Sequence, residues 1–520
     1  MTTKFFSAAL PMLFIYSCSE KYNQDIDKTP NVIFIYADDL GKGLLSSYGQ
    51  KQFSTPNIDK IVNQGLKFNN AYSSAYSAPA RFSLLTGYND CRNDKYTITR
   101  GMPYCVLDTL LIAQREDSVY MLNPKIEPND LHLAQVFKQA GYKTCAIGKL
   151  EWGFLSTRRQ MSERGWDNYY GYLDHNRCHG HYPPFLFEDG KITMIEGNTY
   201  PFCGDEVSPR GSDAVNSAIR ADKRGKAIYA ENLFIDKALN YISENRDNSF
   251  FLYYPTLIPH GSITVPEVDP EVAKNENLTQ FEKEYVSMIT LLDKHVGLIL
   301  DQLEKEGIAE NTIVVFSADN GHAMSYYEEG RSVNDKFPLL NGKVQDDYKV
   351  TYNSIDGGDI LNGNGSMSGL KRSSLDGGTN VPLAFYWKNH IEKGTTDQFV
   401  ANYDFVPTVA EMLGIELKTE KSGISFFNVL FGKELPKNRT IIVDSQKRGP
   451  MIINNEGWKL RYINGENCFQ LFNTEKDPME NNNLIDKYPE IAEELKNILT
   501  KECEIGYNKP SFAKGEFVVK

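Results

Sequence analysis

A serine and an arginine bracket a proline in Ser77-Ala78-Pro79-Ala80-Arg81, with Thr86-Gly87 close behind. Around this hydroxyl and guanidinium the chain supplies other groups able to handle charge. The apolar run Val32–Ala37 ends in Asp38-Asp39, and the run Thr312–Ala318 ends in Asp319-Asn320-Gly321-His322. Adjacent carboxylates at a strand end repel each other unless a cation lies between them, and open α/β sheets bind ligands at that end. Taken alone, Asp-Asp after a strand reads as a turn or helix cap. Together the two ends offer three carboxylates and an amide carbonyl, a hard-oxygen set suited to Ca²⁺ or Mg²⁺ rather than zinc. Lys149 follows Ile147-Gly148, His260 lies in Pro259-His260-Gly261, and Lys371 lies in a Gly-bearing loop. His179 is one of three histidines, with His175 and His181, in a seven-residue stretch that lacks a second ligand cluster, so the other two read as surface-loop residues.

The elements that must position these groups are legible as patterns. Continuous apolar runs at Asn31–Ala37, Phe250–Tyr254 and Thr312–Ala318 predict strands buried on both faces of a parallel sheet, and Tyr142–Gly148 returns as another. Helical spacing is expected over Asp130–Gly141, Ala227–Glu244 and Leu278–Glu306, the last stopped by Gly307, with His295 on its surface. A polar insertion from Glu188 to Lys226 is expected near a cleft mouth. After a hinge at Leu417–Ser422, short strands at Arg439–Val443, Met451–Asn454, Trp458–Ile463 and Phe469–Phe472 precede a helix over Tyr488–Cys503.

The chain has 520 residues, 41% hydrophobic and 24% charged, an ordinary globular balance for one large unit plus a smaller one. Its formal net charge of −12 argues against a nucleic-acid partner. Lys4 and the apolar run Phe5–Tyr16 predict a secretory signal too short to span a membrane. Residues 1–18 end in Ser17-Cys18, which resembles a bacterial lipoprotein cleavage box, and 19–29 would form a tether. Without Cys18, seven of the eight cysteines remain, an odd count with no Cys-x-x-Cys. Cys91 with Cys105 is a possible loop staple.

The Ser77 motif with Leu84-Leu85-Thr86-Gly87 resembles the modification signature of formylglycine-dependent, arylsulfatase-like sulfatases. Asn31-Val32-Ile33 through Asp38-Asp39, Thr55-Pro56-Asn57-Ile58-Asp59, Asn70-Ala71-Tyr72, Gly369-Leu370-Lys371, Val381-Pro382 and Asp404-Phe405-Val406-Pro407-Thr408 follow the same family. The resemblance implies an α/β, alkaline-phosphatase-like fold: a large mixed sheet flanked by helices over 30–416, and a smaller C-terminal antiparallel sheet plus helix over 423–520. It implies sulfate ester hydrolysis with formylglycine made from Ser77, since an unmodified serine would be left as a stable sulfate ester. It implies Ca²⁺, ahead of Mg²⁺, on Asp38, Asp39, Asp319, Asn320 and the modified residue 77. Arg81 would support the formylglycine, Lys149 and Lys371 bind sulfate, His260 protonate the leaving oxygen, and His322 contact substrate.

The chain departs from the pattern where Glu151 stands for a histidine that usually orients the formylglycine, and His179 is the replacement. Asp376 and Asn380 stand for the usual Glu and Arg. The expected substrate is a sulfated oligosaccharide or polysaccharide cut by exo action. The serine-type motif implies an anaerobic-type maturing enzyme as a partner, and the leader implies a periplasmic or surface lipoprotein. The competing readings are a phosphate-ester or phosphonate hydrolase of the same superfamily and a catalytically silent glycan-binding lipoprotein.

Overall fold

A strand can be apolar throughout only if both of its faces are covered, and β1 (Asn31–Ala37) is buried at all seven positions. Its Ile33 and Ile35 enter one core, while Val32, Phe34 and Tyr36 enter another. The computed structural model describes residues 29–92, 127–150, 158–173, 177–199, 221–324, 359–444, 449–463, 466 and 468–503. Glu151, His175, Cys18 and Cys105 lie outside them, as does most of the 188–226 insertion.

Nine further strands join β1: β2 (Leu66–Tyr72), β3 (Lys143–Lys149), β4 (Asn168–Tyr172), β5 (Phe185–Glu188), β6 (Lys191–Met194), β7 (Phe250–Pro255), β8 (Thr312–Ala318), β9 (Leu383–Trp387) and β10 (Gly394–Ala401). Their order is β10-β2-β9-β8-β1-β7-β3-β4-β5-β6. The centre, β8-β1-β7-β3-β4, is parallel, and antiparallel pairs flank it. The sheet is therefore mixed, as expected. Register sets Tyr36 beside Pro255 and Ala37 beside Ala318, so the segments after β1, β7 and β8 leave the same edge.

Helices α1 (Pro56–Gln64), α2 (Ser77–Thr86), α3 (Leu133–Gln139), α4 (Ala230–Glu244), α5 (Gln280–Lys305) and α6 (Phe405–Leu413) cover the two faces. The residues of α1, α4 and α5 fill the core under Ile33 and Ile35, and those of α2, α3 and α6 fill the other. Two caps fix the first layer. Thr279 and Glu282 form a reciprocal capping box on α5. Asp293, within α5, accepts the Asn57 and Ile58 N–H groups at the start of α1, at 2.9 and 2.8 Å.

A second sheet, β11 (Thr440–Asp444), β12 (Pro450–Asn454), β13 (Trp458–Ile463) and β14 (Cys468–Asn473), is antiparallel throughout. One face packs on α7 (Pro489–Glu502), and the other meets Tyr72, Phe399, Ala401 and Tyr403 of the large sheet's edge. Phe426, Val429 and Leu430, which precede β11, bury themselves in the large core. Among the described residues, no helix is long and apolar enough to cross a membrane.

Two acidic clusters sit at the junction of the sheets. The Asp444 N–H donates to Asp90 at 2.7 Å, and burial, then the Asp444 charge, pushes the Asp90 carboxyl up to about 8. Nearby, Lys459 bridges Asp376 at 2.7 Å and Glu480 at 3.0 Å, and burial raises Glu480 to about 7 despite that lysine. An acid whose pKa is raised on folding binds more protons in the native state, so stability falls as pH rises from the unfolded carboxylate range towards 8. Thermal denaturation should show a lower Tm at pH 9 than at pH 6. Asp90→Asn, which stays neutral, should shrink that difference.

Candidate active site

Three parallel strands deliver the acidic groups to one place. Asp38 and Asp39 follow β1, Asp319 and Asn320 follow β8, and Thr256 opens the loop after β7 that carries His260. All four of the acid and amide side chains are buried, Asp38, Asp319 and Asn320 completely. The Asp39 backbone is left-handed, φ 61°, a conformation that costs a non-glycine residue on the order of 1–3 kcal/mol. It is held there by a 3.0 Å hydrogen bond from its own N–H to Asp319 Oδ1. Gly321 must lack a side chain, because a Cβ there would lie 1.8 Å from the Gly377 carbonyl oxygen. Gly148, φ 128°, plays the same part before Lys149, where a Cβ would meet the Pro255 oxygen at 2.1 Å.

Ser77 begins α2 and is 5% exposed. Its hydroxyl donates to Asp38 Oδ1 at 2.9 Å and lies 3.3 Å from Asn320 Oδ1. One turn on, Arg81 is fully buried, donating to Asp319 Oδ2 at 3.0 Å and to the Lys149 carbonyl at 3.1 Å. Lys149 Nζ meets Asp38 Oδ2 at 2.6 Å, and Lys371 Nζ meets Asp39 Oδ1 at 2.6 Å. His260 Nε2 lies 3.6 Å from Asp39 Oδ2. The His179 ring stacks on His260, centroids 4.6 Å apart and planes 8° from parallel. The structure thus gathers Asp38, Asp39, Ser77, Arg81, Lys149, His179, His260, Asp319, Asn320 and Lys371 at one edge of the sheet.

The electrostatics follow from crowding. Burial would raise Asp38, but Lys149, His260 and Arg81 hold its carboxyl well below the usual range. Asp319 goes the other way, up to about 8, through burial and the charge of Asp38, which Arg81 only partly offsets. Three carboxylates that cannot all ionise comfortably, with an amide oxygen facing the same hydroxyl, are a donor set that a bound divalent cation would relieve. All are hard oxygens, so the residues fit Ca²⁺. Asp38, Asp39 and His260 are also close enough to share an ion, although an imidazole nitrogen is a poorer partner for Ca²⁺ than the Asp319 and Asn320 oxygens. Burial, then Lys371, pushes the His260 imidazole well below its ordinary pKa.

Three expectations need correction. His322 does not face a substrate: its ring is fully buried, with Nε2 3.4 Å from Asp359 and Nδ1 3.2 Å from the Tyr285 hydroxyl. His181 is not a surface-loop residue but 1% exposed and stacked on Tyr229 at 5.1 Å. His295 is 3% exposed, 3.5 Å from the Tyr254 hydroxyl and 4.0 Å from Glu231. Glu231 was not singled out by sequence reasoning. Its buried carboxylate accepts the Leu257 N–H at 2.6 Å and the Thr256 hydroxyl at 3.2 Å, tying down the loop that leads to His260. The signal existed, since Glu231 shares a helical stripe with Phe234, Ile235 and Ala238, where an acid must have a partner.

The family model described as sulfatase matches residues 30–415. The chain belongs to the sulfatase family. It is a sulfuric ester hydrolase. A second family, described as N-sulphoglucosamine sulphohydrolase, C-terminal, matches residues 370–504. The N-acetylgalactosamine-6-O-sulfatase of Bacteroides thetaiotaomicron is 25% identical over 95% of this chain and 98% of its own length. The solved structure of Ps i-CgsB in complex with k-i-k-neocarrahexaose shares the fold, with a TM-score of 0.68 and 22% identity over 93% of this chain and 95% of that one. So does that of a protein bound to its substrate D-glucosamine-2-N,6-O-disulfate, with a TM-score of 0.60 and 19% identity over 94% and 100%.

Replacing Glu231 by Ala removes Oε1, the one oxygen that accepts both bonds, and strands a buried N–H, which should cost about 1–3 kcal/mol. Glu231→Gln keeps one carbonyl oxygen and should recover most of that loss. Denaturant unfolding of the two variants checks the order.

Proposed function

We propose that this sulfatase removes sulfate from a sugar of a sulfated glycan, acting at a chain end, with Ser77 carried as formylglycine and one Ca²⁺ held by Asp38, Asp39, Asp319 and Asn320. The observation that carries the reading is the Ser77 hydroxyl seated between Asp38 and Asn320 at the head of the helix that also carries Arg81. A relative named for N-acetylgalactosamine-6-O-sulfate chemistry and two neighbours solved with sugars bound support the glycan. When in place, the aldehyde hydrate supplies a nucleophile that is regenerated after sulfate leaves, and the cation makes its hydroxyl more acidic.

The remaining work falls to side chains of this chain. Lys149 and Lys371 present ammonium groups to the edge where a sulfuryl group would lie, and Arg81 orients residue 77 while neutralising Asp319. Preorganised donors of this kind are each worth ~10²–10³ in rate. Burial, then Lys371, disfavours a charged His260, and an anionic ester near Lys371 would offset the second of these. His260 can then hold a proton for the departing sugar oxygen, with His179 as the adjacent base. In the same reading the mature chain lies outside the inner membrane, tethered through a lipid on Cys18, after an anaerobic-type maturing enzyme has acted on Ser77.

Peptide mass spectrometry after co-expression with such an enzyme should find residue 77 about two mass units lighter than serine. That protein should release sulfate from sulfated mono- or oligosaccharides. Ser77→Ala should abolish release and Lys149→Ala lower it by ~10²–10³. Chelation should stop turnover, and Ca²⁺ should restore it better than Mg²⁺. Full activity with an unconverted serine would overturn the formylglycine reading, and turnover confined to phosphate esters or aryl sulfates would overturn the glycan.

A further inference from the structure

The loop that follows α2 turns at Gly87, φ 78°, and reaches the small sheet, where Asp90 takes the Asp444 N–H. The next residue, Cys91, packs with Cys503 on the cluster formed by Ile442, Leu460, Leu471, Leu495 and Leu499. Cys503 closes α7, its N–H bonded to the Leu499 carbonyl at 2.9 Å. Although 412 positions separate them in sequence, Cys503 lies close enough that its side chain, then burial, pushes the Cys91 thiol well above its ordinary pKa. Both are half-buried, whereas Cys145 and Cys178 are buried in the core of the large sheet.

We propose that Cys91 and Cys503 form a disulfide in the mature protein, joining the segment behind the Ser77 helix to the C-terminal helix. It replaces the staple to Cys105 expected from sequence. A metal is the other use for paired thiols, and Asp90 and Asp444 lie close by. Among the described residues, however, the acidic, cysteine and histidine side chains converge tightly enough for an ion only at Asp38, Asp39 and His260. A pair of thiols in an oxidising compartment is oxidised instead. Each gives up a proton and together they give up two electrons, and a sulfur–sulfur bond forms. The electrons pass through a mixed disulfide to the protein disulfide of an extracytoplasmic thiol oxidase, which leaves as a dithiol. Neither residue is fully buried, and the link closes most of the chain into one loop, which constrains the unfolded state.

The proposal rests on the export reading. The experiment therefore replaces residues 1–18 by a bacterial host's own export signal, so that failure of the native leader cannot be mistaken for failure of the pair. Protein recovered from the periplasm is alkylated under denaturing conditions and digested without reductant. The expected result is one peptide pair joined through Cys91 and Cys503, separable only by reduction. Reductant should lower the Tm of that protein by roughly 2–8 °C and leave Cys503→Ser unchanged, since this variant starts at the lower value. Alkylation of both cysteines in the exported protein, or an equal response to reductant in wild type and Cys503→Ser, would overturn it.

Discussion

Three carboxylates forced into one water-poor space govern this structure. Parallel pairing of β1 with β7 and β8 leaves Asp38, Asp39 and Asp319 nowhere else to go, because register fixes where each strand ends. Their mutual repulsion explains the buried cations, since Arg81, Lys149 and Lys371 would each be costly to bury without an acid to meet. Asp39's left-handed backbone is held by its N–H bond to Asp319, and it leaves the second carboxylate close enough to the first for the two to share an ion. Acids, bases and hydroxyl form one network, and removing a member leaves an uncompensated charge rather than a simple gap.

The layers around that network make it rigid. The helix bearing Ser77 and Arg81 is buried along its whole length, so neither group can swing out. Lys459 reaches from the small sheet to Asp376, whose other oxygen accepts the Tyr72 hydroxyl at 3.2 Å and which lies in the segment just after Lys371. Asn380, in the place of the family's arginine, accepts from Lys42 at 2.6 Å, so a lysine elsewhere in the chain supplies the missing cation beside Asp376. Burial draws the Lys42 ammonium down to about 7. Neither Lys42 nor Lys459 could have been paired with Asp376 from spacing alone.

Much was legible in advance for physical reasons. β1, β7, β8 and the strands of the small sheet announce themselves as apolar runs, and the carboxylates sit directly at their ends. Long helices with one apolar stripe were equally plain. The edge strands β6 and β10 were not singled out, because Lys191–Met194 and Gly394–Ala401 carry mixed, half-exposed sequences whose pairing is decided by neighbours. The histidines were misjudged for a related reason. His181, His295 and His322 are polar letters whose burial depends on Tyr229, Glu231 and Tyr285, partners distant in sequence. His295 could have been placed, since it lies between Leu292 and Ile299 on the apolar stripe of α5.

Ser77 is shut in by strands made long after it. β7 and β8, which seat the ends of β1 and close the pocket, come from residues 250–255 and 312–318. At ~5–20 residues per second, synthesis gives the serine on the order of ten seconds or more as an open peptide before its walls exist. A chain kept unfolded for export keeps it open longer. An enzyme that must grip the Ser77 peptide itself meets it most openly in this interval, because in the finished molecule Ser77 is 5% exposed. The fold therefore sets the timing of any chemistry done to Ser77.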